Sequence, residues 1–241
     1  MPAHKDDKPP VPASAQNAEV EAFLRQVKAM PAARPASRRG RLIFAMDATA
    51  SRQPTWDHAC KIQGEMFEAT EGLGGLDVQL VFYRGFNECK ASRWLSSAKA
   101  LHAAMRAVFC IGGETQIARV LRHALKASET EKIGALVFVG DAMEEKVDEL
   151  CALAGKLGLC GVPVIVFHEG ADATATHAFK DIARLSHGAY CHFDAGSADQ
   201  LRALLGAVAA YAAGGQKALA QYGSTTGGPA LLLAHQLGTG K

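Results

Sequence analysis

The chain has 241 residues, 49% of them hydrophobic and 21% charged, with a net charge of +2. That length allows one domain or two, and that composition supplies apolar material for a sizeable core. A near-neutral balance argues against a nucleic-acid footprint, and no apolar run reaches the length of a membrane span.

Residues 1–16 are rich in Pro, Ala, Lys and Asp and predict disorder; they contain no apolar h-region of a signal peptide. Over 17–30, Val20, Phe23, Leu24, Val27 and Met30 recur at steps of three and four after Asn17, as in an amphipathic helix stopped by Pro31. A basic, Pro-interrupted linker follows to Arg39. This helix either packs back on the domain or docks on a partner.

From Gly40 to Gly214 strands alternate with helices. The apolar run Leu42–Met46 reads as a strand buried on both faces and ends in Asp47. A helix is expected over Trp56–Thr70, then a strand over Leu76–Tyr83. Glu88–Ser92 lies too close to that strand for a helical crossover and suits an antiparallel edge strand. Helices are expected over 94–109 and Gln116–Ser128, separated by a break at Cys110–Thr115. Ile133–Val139 is a buried strand ending at Gly140-Asp141. The remaining expectations are a helix over Glu144–Gly158, a strand over Val162–Phe167, a helix over Ala173–Leu185, a strand over Ala189–Asp194 and a helix over Ser197–Tyr211. Residues 215–241 read as a flexible Gly/Thr-rich tail with an apolar patch at Ala230–Ala234. This alternation predicts an α/β, doubly wound six-stranded sheet with right-handed crossovers.

In such sheets ligands bind outside the carboxyl ends of the strands. Asp47, Thr49 and Ser51 follow the first strand at every second residue, so on an extended loop they point the same way. Thr115 follows Gly112-Gly113, and Asp141 follows the fourth strand. If the first and fourth strands are neighbours, the three loops converge. Carboxylates and hydroxyls together suit a hard cation such as Mg²⁺. Each residue also has a simpler role, Asp47 as a loop cap and Thr115 as a helix N-cap.

These five positions resemble the metal-ion-dependent adhesion site (MIDAS) of von Willebrand factor A (VWA) domains over about residues 40–214. The resemblance implies a Rossmann-like, mostly parallel sheet with a short antiparallel edge strand. It implies that Thr49 and Ser51 ligate the metal directly, that Thr115 does so conformation-dependently, and that Asp47 and Asp141 act directly or through water. The ion would be Mg²⁺, or Mn²⁺ or Ca²⁺. It further implies a binding function and not catalysis, with a protein partner supplying a Glu or Asp to the metal. Bacterial cytoplasmic members work beside ATPases or chaperones. Three positions depart from the commonest pattern: Thr49 stands where Ser is usual, Ala142 where Gly is expected, and Arg52 follows Ser51. A cation at Arg52 either competes with the metal or contacts an acidic ligand. Glu114, Glu144 and Glu145 are placed to adjust the site charge.

Two alternatives come from other classes. A metal-dependent phosphohydrolase could use Asp47 as nucleophile, although Thr49 occupies the position of its second acid. A zinc or Cys–His site could draw on His168, His177, His187, Cys191 and His192, but adjacent strand residues point to opposite faces and no HExxH or GxSxG occurs. The six cysteines form no CxxC and read as reduced thiols.

Overall fold

The computed structural model describes residues 39–70, 73–193 and 198–226. The expectations for residues 1–38 and 227–241 lie outside these. Six strands form one sheet: β1 (Gly40–Asp47), β2 (Leu76–Arg84), β3 (Glu88–Ala91), β4 (Ala135–Gly140), β5 (Val164–Glu169) and β6 (Ala189–Phe193). Their order is β3-β2-β1-β4-β5-β6, and every neighbouring pair is parallel except the β2–β3 hairpin. Helices α1 (Gln53–Ile62), α2 (Glu65–Glu68), α3 (Ala98–Arg106), α4 (Ile117–Thr130), α5 (Val147–Leu159), α6 (Ala173–Leu185) and α7 (Ala198–Thr226) cover the two faces.

Alternation along β1 explains the layering. Leu42, Phe44 and Met46 pack on one side with Trp56, Met66, Leu101 and Leu205 of α1, α2, α3 and α7. Ile43 and Ala45 pack on the other with Leu121, Leu150 and Phe179 of α4, α5 and α6. A strand that is apolar at every position must be covered twice, so the sheet is doubly wound.

The structure corrects several boundaries. The helix expected over 56–70 starts earlier, with Pro54 in its first turn, and is broken between α1 and α2 at Gln63-Gly64. Trp94 and Leu95 precede α3; Leu95 exchanges backbone hydrogen bonds with Val78 at 2.8 and 2.9 Å, and Ser97 caps the helix. The helix expected from Glu144 begins only at Val147, which leaves Glu144 and Glu145 in the β4–α5 loop.

The flexible tail expected from residue 215 is helical to Thr226. Gly215, at φ 72°, breaks α7. The chain then folds back so that Tyr222 lies against Gly206, where a Cβ would sit 2.1 Å from its hydroxyl. Ala218 and Leu219 are buried there. Local Gly and Thr enrichment masked this short apolar face. No described helix is long and apolar enough to cross a membrane.

Candidate metal centre

β1 sits between β2 and β4, so strand order reverses beside the carboxyl end of β1. That reversal opens a crevice where loops from distant parts of the chain meet. Asp47, the last residue of β1, is 1% exposed. Its Oδ1 accepts the Thr49 backbone N–H at 2.7 Å. Its Oδ2 is buried without a hydrogen-bond partner among the described residues, and so is the Tyr83 hydroxyl. Burial raises the Asp47 pKa above the usual carboxylate value, against the pull of the Thr49 bond; the charge of Asp141 raises it further. Burial, with the charge of Asp47 next, likewise drives Tyr83 well above an ordinary phenol.

The next residues do not continue as an extended loop. Thr49 is extended, but Ala50–Arg52 form a 3₁₀ turn. The turn still converges the oxygens: Thr49 Oγ1 lies 3.4 Å from Ser51 Oγ, and Ser51 donates to Asp141 Oδ2 at 2.9 Å. Asp141 reaches the site because β4 is hydrogen-bonded to β1. Asp47, Thr49, Ser51 and Asp141 are therefore gathered into one oxygen cluster.

Thr115 is held differently. Its hydroxyl accepts the Glu144 N–H at 3.0 Å, and its own N–H donates to Glu144 Oε2 at 3.1 Å. This reciprocal pair ties it to the β4–α5 loop and not by a direct bond to the other four. Nor is it the N-cap of α4: that position is Gln116, and Glu145 accepts the Ile117 and Ala118 N–H groups at 2.5 and 2.9 Å. The two glutamates serve as loop clamps. The Thr115 loop is pressed on the β2–β3 turn, and a Cβ at Gly113 would lie 2.2 Å from the Gly85 carbonyl oxygen. Glu114 N–H bonds that same oxygen at 3.3 Å, and Ile111 N–H bonds the Ala48 carbonyl at 3.0 Å.

Arg52 was flagged from sequence, whereas its partners Glu169 and Thr55 were not. Arg52 is 2% exposed and pairs with Asp141 at 3.7 Å and with Glu169 at the end of β5. Thr55 also donates to Glu169. Glu169 carries the same signal as Asp141, an acid closing an apolar strand, and that rule applied to β5 would have found it. His168, flagged only within the histidine group, lies beneath Asp141. Its Nε2 donates to the Asp141 carbonyl at 3.3 Å, which leaves Nδ1 to accept the Tyr190 hydroxyl at 2.8 Å. Burial lowers its pKa, so the ring is neutral at pH 7.

Among the described residues no group of three or more His, Cys, Asp or Glu side chains is gathered as metal ligands would be. An ion here would depend on the hydroxyls. The donor set fits a hard divalent cation: all its atoms are oxygens, and the buried Asp47 Oδ2 makes no hydrogen bond of ordinary geometry among the described residues, with the Tyr83 hydroxyl the nearby group that favours its charge.

Comparison with solved structures places this architecture. The SpRpn10 VWA domain matches with a TM-score of 0.55 at 12% identity, over 68% of this chain and 94% of that one. The fold is that of a VWA domain. The vWF domain of the type V pili tip protein Mfa5 from Porphyromonas gingivalis matches at 0.54 and 11%, over 70% of this chain and 95% of that one. The D319A mutant of the PilB minor pilin from Streptococcus sanguinis matches at 0.56 and 9%, over 80% and 64%. No protein-family model matches the sequence, and no curated protein matches it.

Proposed function

We propose that the chain is a non-catalytic, metal-dependent protein-binding module. Mg²⁺, with Mn²⁺ or Ca²⁺ as substitutes, is held by Asp47, Thr49, Ser51, Thr115 and Asp141, and a partner Glu or Asp completes its shell. The observation that carries this reading is the buried, unpartnered Asp47 Oδ2 beside the Ser51–Asp141 pair. A carboxylate oxygen withdrawn from water without a donor is costly, and a cation offsets that cost. When bound, the ion supplies an electrophilic position for an incoming carboxylate. The residues hold and orient it: Thr49 N–H fixes Asp47, and the Glu144 clamp fixes Thr115.

A protein partner is supported by the rim. Phe86, Phe109 and Ile111 are 72%, 70% and 48% exposed on loops braced around Asp47. Arg84 holds the Phe109 carbonyl at 2.7 Å, and the Ile111 N–H holds Ala48. Large apolar side chains left in water on braced loops suit a docking surface. The VWA domains and pilus proteins that share this fold are consistent with a binding role. An ATPase or chaperone-type partner in the bacterial cytoplasm is the expectation. The phosphohydrolase reading is disfavoured, because a 1% exposed Asp47 with one oxygen bonded to Thr49 presents no nucleophile to a phosphate.

The test is a pulldown with the full chain in millimolar Mg²⁺, in EDTA, and with Asp47→Ala. A partner retained only by the wild type in Mg²⁺ supports the reading. Retention unaffected by EDTA and by the substitution overturns it, as does phosphatase activity lost with Asp47.

A further inference from the structure

A guanidinium stands inside the candidate centre. Arg52 closes the 3₁₀ turn through its N–H to the Thr49 carbonyl at 3.0 Å, so its side chain enters the site from the same loop that carries Thr49 and Ser51. It is 2% exposed. Its Nη1 lies 3.7 Å from Asp141 Oδ2, the oxygen that also accepts the Ser51 hydroxyl. On its other side Glu169 pairs with Nη2, and Thr55 donates to the same Glu169 oxygen. Its Nε has no hydrogen-bond partner among the described residues.

The charges then decide the outcome. The Arg52 guanidinium brings a positive charge to Asp141, and a divalent ion ligated by Ser51 and Asp141 would place a second positive charge against the same carboxylate. At a half-buried carboxylate two cations that share it repel more strongly than they would at a fully exposed surface. Glu169 relieves this by drawing the guanidinium toward β5, and Thr55 steadies Glu169 in that role.

We propose that Arg52 is a tethered counter-cation that competes with the divalent ion for Asp141, and that Glu169 sets the ion affinity by holding the guanidinium away from it. This rests on the metal-binding reading above and names what tunes that site. Arg52 and Glu169 are positioning residues: neither is a ligand, and both act through Asp141.

The experiment titrates the full chain with Mn²⁺ alone at about 0.15 M salt, where long-range charge effects are screened. Free Mn²⁺ is read by electron paramagnetic resonance, and each variant's unfolding midpoint is recorded. Arg52→Gln is expected to bind Mn²⁺ about tenfold tighter than wild type, and Glu169→Gln about tenfold weaker. The double variant should bind more tightly than Glu169→Gln alone. Arg184→Gln, which removes an exposed cation paired with Asp181 at the far end of α6, should bind as wild type does.

Wild-type binding that is lost in Asp47→Ala, with Arg52→Gln no tighter, overturns this inference and leaves the metal reading standing. Equal tightening by Arg184→Gln also overturns it, since net charge would then suffice. Mn²⁺ binding by Arg52→Gln alone supports it in its limiting form, with the guanidinium as the natural occupant, and overturns the metal reading. Absence of binding in every variant overturns both. If Arg52→Gln does not fold, the fall in Glu169→Gln and the recovery in the double variant still decide.

Discussion

Ser51 donates a hydrogen bond to Asp141 at 2.9 Å, across 90 residues of sequence. The bond joins the turn after β1 to the end of β4 and aligns a hydroxyl with a carboxylate. It leaves the lone pairs of Ser51 and one Asp141 oxygen for a cation.

Ser51→Ala removes that link and one oxygen donor. Loss of a hydrogen bond to a charged group costs about 1.5–3 kcal/mol when buried, and less at this partly exposed site. The expected result is a lower unfolding midpoint without metal, by a few degrees, and weaker Mn²⁺ binding by about tenfold or more, with Ser51→Thr retaining most of both. Thermal melts with and without Mn²⁺ check it.

Asp47→Asn should separate stability from function. Asp47 Oδ2 is buried without a hydrogen bond of ordinary geometry among the described residues, beside the Tyr83 hydroxyl, which a carboxamide N–H could reach. An amide keeps the acceptor for the Thr49 N–H and removes the uncompensated charge. Without metal the variant should be more stable than wild type by about 1–3 kcal/mol, the cost of leaving such a group unsatisfied. Millimolar Mg²⁺ should raise the wild-type midpoint and leave the variant unchanged. Denaturant melts in EDTA and in Mg²⁺ give both numbers.

Phe86→Ser and Phe109→Ser test the rim. Both side chains are largely in water, so the fold should change by less than about 0.5 kcal/mol. Partner capture should fall several-fold while Mn²⁺ affinity stays that of wild type. Loss of Mn²⁺ binding would instead mean that these loops shape the ion site itself.

The cysteines should be sluggish. All six are free thiols. Burial raises the pKa of Cys60, Cys89 and Cys110 to about 11 in each case. At pH 7.5 only about one in three thousand of each is thiolate, and the reactive fraction should rise tenfold per pH unit until about pH 11. Alkylation followed by mass spectrometry should therefore label the exposed Cys160 before these three, and the buried Cys191 no sooner than these.

Much of the architecture was legible in the chain. Apolar runs such as Leu42–Met46 and Ile133–Val139 have no polar face to show to water, so they require cover on both sides. Asp172 before Ala173 marks the start of α6, and its side chain accepts the Ala175 N–H at 2.5 Å. Breaks were less legible, because α2 and the segment after Gly215 depend on packing: α2, with Met66 buried, rests on α7, and Tyr222 lies against Gly206.

The site divides along the same line. Sequence alone determined the residue types and their places after β1 and β4, because an acid that ends a buried strand must emerge at its carboxyl end. It also raised both roles for Arg52, competition with a metal or contact with an acid. Only the tertiary structure decided which acids that cation meets. Side-chain direction follows local backbone, and Ala50–Arg52 turns where an extended loop was expected. Partners across the crevice follow strand order, and β5 stands next to β4. Those two facts place Arg52 between Asp141 and Glu169, and no spacing along the chain encodes either one.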